Sequence, residues 1–406
     1  MSDIESIDIA NKKIIIKLAK VDMVCPYCGV VHLKSKGTYN RTITVPSSIF
    51  DNYQIILSIR RYYCEACHHS VSDTKSLAPA NKKISYNTIF KIMEMLKNHR
   101  TTFKDAAEAP GVSPSTVVRV FDEHCIIPRK ELPEVICMDE VYTKNNDFDS
   151  KYSCLFYDFY NHKLIDVTPS RRLDYLEYYL SNIPKEERDR VKIVSIDMYK
   201  TYRTVVRKYF KKAIISADSF HVIKLLNDSF EKIRIRVMKR YDSSSNEYYL
   251  LIKFNFLLKD RTLNLDNKAR YNHKLETYIN YRGIYNILIE IDEELTKAYY
   301  LKEMYMDFNR DSTKEEAKLK IDEIRKEFIE SNIEEYKPFI TALKNWREEI
   351  INSFTIYKGR CINNGVAESI NAKVSSLIFN TKGITNNRRR RKRILYAVNG
   401  EGFKLK

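Results

Sequence analysis

Glycine and proline are scarce in this 406-residue chain, at 9 and 10 residues, and tryptophan occurs once, at Trp346. So little backbone punctuation excludes collagen-like repeats and long flexible linkers. No stretch of the sequence reaches the roughly 18 consecutive apolar residues that signal a membrane-spanning helix, so no membrane partner is expected. The first residues, MSDIESIDIANKK, lack the apolar segment of a secretory signal. A cytoplasmic, nucleoid-associated location in a bacterial cell is expected. Acidic residues are in deficit, with 53 Asp and Glu against 70 Lys and Arg, for a formal net charge of +17. Such an excess attracts polyanions, nucleic acid first. The competing explanation is an AT-rich genome, which raises lysine, isoleucine, asparagine and tyrosine together.

Hydrophobic residues make up 44% and charged residues 30% of the chain, which supports packed cores and excludes a disordered polymer. The length suits two or three domains. Eight cysteines in a reducing compartment point to metal binding before disulfides.

Cys25-Pro-Tyr-Cys28 and Cys64-Glu-Ala-Cys67 form two C-x-x-C pairs. Each places two thiolates on one tight turn, and two such turns close a four-sulfur zinc site in a small ribbon with strands at Arg41–Val45 and Ile55–Arg60. Four unrelated buried cysteines and a redox pair are the rival readings. The second pair, and Gly29 directly after the first, weigh against both. His32, His68 and His69 are near enough in sequence to replace a sulfur. Cys125, Cys137, Cys154 and Cys361 are expected to be inert.

Between Thr102 and His124, Phe103, Ala106 and Ala107 make a short apolar face, Pro110-Gly111 breaks it, and Ser113-Pro114 opens a second helix. Val117, Val120 and Phe121 face inward. Ser115, Thr116 and Arg119 face outward, where a recognition helix meets the major groove. An ordinary helical hairpin is the alternative.

From Glu134 to Asp218 the pattern reads β-β-β-α-β-α-β: strands at Glu134–Tyr142, Tyr152–Tyr160, Lys163–Thr168, Val191–Ile196 and Ala213–Ala217. A helix at Leu173–Asn182 has Leu173, Leu176 and Leu180 on one face, and another spans Tyr199–Phe210. This order describes a mixed sheet of ribonuclease H type. Asp139 lies within its first strand and Asp197 ends the fourth, which should be its neighbour. Glu368 lies in NNGVAESINAKV, off the apolar stripe of Val366, Ile370 and Val374 and beside Asn364 and Asn371. Hard carboxylate oxygens hold Mg²⁺ or Mn²⁺ while leaving positions open for phosphate. Asp218, which ends the last strand, rivals Asp197 as the second carboxylate. His221 either positions a phosphate or water or makes a structural hydrogen bond. Asn364 and Asn371 either orient the glutamate or contact DNA. Glu140 should point to the other side of the strand. Tyr202 and Arg203 are candidate DNA contacts, with a plain surface role as the alternative. The block of Arg388, Arg389, Arg390, Arg391, Lys392 and Arg393 runs into Ile394-Leu395-Tyr396, so it reads as an ordered helix that meets the DNA backbone rather than a loose tail.

The two C-x-x-C pairs, the helix-turn-helix pattern, ICMDE, VSIDMYKTYRTVVRKYF, ADSFHV, NNGVAESINAKV and RRRRKRILY together resemble the ISL3 family of insertion-sequence transposases, in the family's order and over nearly the whole chain. The resemblance implies a DDE transposase with an N-terminal zinc-binding segment and an all-α insertion between the second aspartate and the glutamate. About 170 residues separate Asp197 from Glu368, and much of that stretch has helical periodicity. TKGITNN stands where the family has an aromatic, glycine-containing segment before the basic run. The expected architecture is a multidomain α+β chain. It has a zinc-binding ribbon (1–78), a helix-turn-helix DNA-binding domain (79–130), a ribonuclease H-like mixed-sheet catalytic core (131–224), an all-α insertion (225–358), and the core's C-terminal helices with a basic tail (359–406). The expected activity is binding of terminal inverted repeats, then strand cleavage and strand transfer. Asp139, Asp197 and Glu368 would hold two Mg²⁺ or Mn²⁺ ions, and one structural Zn²⁺ would sit on Cys25, Cys28, Cys64 and Cys67. The expected partners are double-stranded DNA, as element ends and target, and a second copy or more of the chain. A DNA-binding regulator with an idle core, and a nuclease that cuts without joining, are the alternatives.

Overall fold

Residues spaced two apart, Ile14, Ile16 and Leu18 against Ile55, Leu57 and Ile59, bury one face of an N-terminal sheet. In this computed structural model the described residues are 4–11, 13–45, 54–72, 78–79, 82–145, 150–362, 365–381 and 384–405. The chain divides into two units, Met1–Arg129 with Ala372–Lys406, and Lys130–Asn371.

In the first unit, β1 (Ile4–Ala10), β2 (Lys13–Leu18), β3 (Lys34–Ile43), β4 (Gln54–Tyr63) and β5 (Ser70–Ser72) form one sheet in the order β1-β2-β4-β3, with β5 on β4. β2 and β4 are parallel, while β3 and β4 are antiparallel. Three helices follow, α1 (Tyr86–Met95), α2 (Asp105–Glu108) and α3 (Pro114–His124). Ser85 caps α1 by accepting from the Thr88 N–H, and Ser113 caps α3 by accepting from the Thr116 N–H, with Pro114 in its first turn. Gly111 turns the chain between α2 and α3 at φ +65°, where a side chain would be strained. Ile89, Ile92, Ala106, Ala107, Val117, Val120 and Phe121 close the core, joined by Tyr396 from the chain's far end.

In the second unit, β6 (Val135–Asn145), β7 (Ser150–Asp158) and β8 (Lys163–Val167) form a meander, followed by α4 (Leu173–Ser181), α5 (Lys185–Arg188), β9 (Ile193–Ile196), α6 (Lys200–Tyr209) and β10 (Ile214–Ala217). The sheet order is β10-β9-β6-β7-β8, antiparallel from β6 to β8 and parallel from β6 to β10. Leu176 and Leu180 are buried as the spacing requires, but Leu173, at the first position of α4, is 42% exposed.

Next come α7 (Ser219–Met238), α8 (Asn246–Lys253), β11 (Arg270–Asn272), β12 (Thr277–Ile279), α9 (Tyr281–Glu290), α10 (Glu293–Asp311), α11 (Lys314–Glu330), α12 (Lys337–Asn345) and α13 (Arg347–Ser353). The expectation of an all-α insertion needs correction, because β11 and β12 pair as an antiparallel hairpin. A second hairpin, β13 (Ile356–Tyr357) with β14 (Arg360–Cys361), precedes α14 (Gly365–Asn380) and α15 (Asn387–Asn399). One apolar core runs without a break from Ile136 and Val194 in the sheet through Phe230, Tyr305 and Phe328 to Phe354. Among the described residues no helix is long and apolar enough to cross a membrane.

Candidate metal centres

The antiparallel register of β3 on β4 sets Lys34 opposite Tyr63. The turn before β3 and the turn after β4 therefore meet at one end of the ribbon. Each turn folds the same way. The Gly29 N–H donates to the Cys25 carbonyl and the His68 N–H to the Cys64 carbonyl, both at 2.9 Å. Gly29 and His68 both take positive φ, 74° and 61°, which turns the chain away directly after each pair. Cys25 Sγ lies 3.5 Å from Cys67 Sγ, and Cys28 Sγ 3.5 Å from Cys64 Sγ. Sulfurs on a tetrahedral Zn²⁺ with bonds near 2.3 Å sit about 3.8 Å apart, so the donor set and its spacing fit zinc. His68 is taken by the Tyr63 hydroxyl, and His69 by the Cys67 carbonyl and the Tyr27 ring. Among the described residues the group consists of the four sulfurs and includes no histidine.

The second centre is built on adjacent parallel strands. β6 sets Met138 opposite Ile196 of β9, so Asp139 and Asp197, one residue further along each strand, come together. Asp139, Asp197 and His221 place ligand atoms within 4.8 Å of one another. His221 lies in the first turn of α7, and its Nε2 is 3.8 Å from Asp139 Oδ1 and 3.5 Å from Asp218 Oδ2. The Asp218 carboxylate caps α7 by accepting from the Phe220 N–H at 3.0 Å. Burial pushes the Asp139 carboxyl above the usual carboxylate range, against the pull of His221 and of a hydrogen bond from Asn371. Burial also raises Asp197, partly offset by His221 and reinforced by the negative charge of Asp139. Two desolvated acids side by side have the hard oxygen donors that a divalent cation takes.

Asn371, on α14, donates from Nδ2 to Asp139 Oδ2, and its Oδ1 accepts from the Tyr157 hydroxyl. Position 368 lies one turn earlier on the same helix, but the Glu368 side chain and the whole of Asn364 are outside the described residues. The Asp139 backbone is also held, since its carbonyl accepts from the buried Tyr202 hydroxyl at 3.5 Å. Tyr202 is therefore a core residue. Arg203 stacks 3.5 Å over the Trp346 ring and pairs with Glu349. Neither is the DNA contact considered from sequence. Glu140 points away from Asp139 and pairs with Arg171.

Two residues near this site carry no motif. Tyr157 on β7 faces Cys137 across the ladder, two residues from Asp139 on the same side of the sheet. The register shifts between Tyr142 and Asn145, so strand order alone does not point to it. Arg171 is clasped between the Tyr152 and Tyr199 rings at 4.2 and 4.4 Å, and its charge acts on Asp197.

Of the residues expected to meet DNA, Ser115, Arg119 and Arg388 are exposed and Thr116 and Arg391 are half-buried. Arg389 pairs with Asp122, and Arg390 donates to the Ile384 carbonyl. Arg393 is a correction. It is fully buried and donates to the carbonyls of Leu96, Asn98 and Thr101. Its place in the basic run follows from the need to close the end of α1.

A family model named DDE_Tnp_ISL3 and described as "Transposase" matches residues 136–394. A second, described as "zinc-finger of transposase IS204/IS1001/IS1096/IS1165", matches residues 22–67. No curated protein matches the chain significantly.

Proposed function

The chain belongs to the ISL3 family of transposases, and from that premise we propose that it binds the terminal inverted repeats of an insertion sequence and cuts and joins DNA there. The observation that carries the reading is the meeting of Asp139 and Asp197 at neighbouring parallel strands, where burial raises both carboxyls. The strand order β10-β9-β6-β7-β8 supports a ribonuclease H-like core. The turn at Gly111 between α2 and α3, with Ser115, Thr116 and Arg119 turned outward, supports a helix-turn-helix reading of the major groove.

In this reading Asp139, Asp197 and Glu368 are the three acids, and two Mg²⁺ or Mn²⁺ ions bound there would activate the attacking oxygen and stabilise the leaving one. Asp197 is preferred over Asp218 because the Asp218 carboxylate is committed to the cap of α7. Asn371 and Tyr157 fix one oxygen of Asp139 and leave the carboxylate in one orientation. Asp139 and Asp197, with Glu368, hold the reacting phosphate's surroundings. His221 faces that space and orients the phosphate or water. Water attacks the phosphodiester at the element end and the 3′-oxygen leaves as a free hydroxyl. That hydroxyl then attacks a target phosphodiester, so one P–O bond forms as another breaks. Cys25, Cys28, Cys64 and Cys67 hold a structural Zn²⁺. Arg388 and Arg391 face the DNA backbone, while Arg389 and Arg390 are held by Asp122 and the Ile384 carbonyl. Two ends must be joined, so the working form is a homodimer or larger.

The test is incubation of the protein and Mg²⁺ with DNA carrying its own gene and both flanks. Cuts at both ends and joined products support the reading. Binding without cutting would make the chain a regulator, and cutting without joining would make it a nuclease.

A further inference from the structure

The β11–β12 hairpin exposes aromatic rings where a core has no use for them. Tyr271 and Tyr278 face each other across the two strands, with ring centroids 5.2 Å apart, and are 45% and 74% exposed. The His273 ring meets Tyr271 edge-on at 5.1 Å. Around them Lys268, Arg270 and Lys274 are exposed, with Glu276 as the one acid from Lys268 to Tyr278. Asp266, just outside, is taken by Arg282. The hairpin also walls a recess of about 460 Å³ whose other sides include Tyr249, Lys253, Phe254 and Tyr281. Lys253 lies 5.2 Å over the Tyr249 ring. Cations and aromatic rings thus share this part of the surface.

We propose that this hairpin and its recess bind DNA through an unpaired stretch, with bases stacking on Tyr271 and Tyr278 and phosphates meeting Lys253, Lys268, Arg270 and Lys274. Charge complementarity selects a polyanion. The exposed rings select one whose bases are out of the duplex, because stacking on a tyrosine face needs a free base face. The hairpin is anchored without the two rings, by the Tyr249 hydroxyl on Asn272 and by Leu275 and Ile279 packed on the core, which leaves both tyrosines in water. The proposal rests on the reading of the chain as a DNA transposase and adds a strand-holding site to it.

The experiment uses the full-length protein and two fluorescent probes, a duplex element end and the same duplex with an unpaired extension. Wild type should bind the extended probe more tightly. The Tyr271→Ser/Tyr278→Ser variant should lose about tenfold or more on the extended probe and keep its affinity for the plain duplex. Lys268→Gln/Arg270→Gln should lower the slope of log affinity against log salt by about 1.4 on the extended probe, a change that a folding defect does not produce. Unchanged binding of both probes by both variants would overturn the proposal. A loss of self-association with DNA affinity intact would also overturn it and make the hairpin a contact between copies. If wild type binds neither probe, the transposase reading fails with it, whereas intact end-cutting with no preference for the extension removes the hairpin proposal alone.

Discussion

Asp139 carries a carboxyl whose pKa burial has raised, and the sign of that shift has a consequence for stability. A carboxyl that holds its proton more tightly when folded stabilises the fold below its unfolded pKa, and that contribution is lost as pH rises through the folded value. At neutral pH, without metal, burying this acid therefore costs stability. Asp139→Asn should melt higher than wild type at pH 7 in chelator, with the gap narrowing on acidification, while losing all cutting. Scanning calorimetry checks this, and a lower melting temperature for the variant would count against it. Added Mg²⁺ should raise the melting temperature of wild type and not of the variant. Arg393 works in the opposite sense. Its guanidinium serves three carbonyls inside the first unit, so Arg393→Ala should cost about 3 kcal/mol or more. Arg388→Ala, at an exposed position, should change stability by less than about 0.5 kcal/mol. Urea titration of both variants distinguishes structural from surface arginines in a run that looks uniform in sequence.

The elements that were legible in the sequence are those whose periodicity and chemistry agree. The five strands of the second sheet alternate or run apolar as their burial demands, and Asp139 and Asp197 could be set side by side from strand order alone. The C-x-x-C turns are legible for a local reason, since a tight turn and two sulfurs need nothing from the rest of the chain. The zinc ribbon should hold one Zn²⁺ per chain, and Cys64→Ser should abolish that stoichiometry and expose the ribbon to protease, read by metal analysis and limited digestion. Ser113→Ala should cost about 1 kcal/mol through loss of the α3 cap. What escaped depends on contacts distant in sequence. The link from Tyr157 through Asn371 to Asp139 exists only once α14 lies over β6 and β7. The β11–β12 hairpin has strands of three residues, too short for an alternation signal, inside a segment dominated by helical spacing. Tyr202 and Arg203 looked like surface residues because their partners, Asp139 and Trp346, come from other parts of the chain.

Across the whole molecule, the excess of positive charge and the paired acids fit the transposase family matched over residues 136–394. The basic run shows the limit of reading charge from sequence, because part of it is spent on the fold. The central claim is that Asp139, Asp197 and Glu368, and not Asp218, form the reacting centre. It is tested most directly by strand transfer from pre-cut element ends with Mn²⁺, which bypasses end cleavage. Wild type and Asp218→Asn should yield joined products. Asp139→Asn, Asp197→Asn and Glu368→Gln should bind the ends and join nothing. Joining by Asp197→Asn or Glu368→Gln at the wild-type rate, or loss of joining in Asp218→Asn alone, would contradict the account.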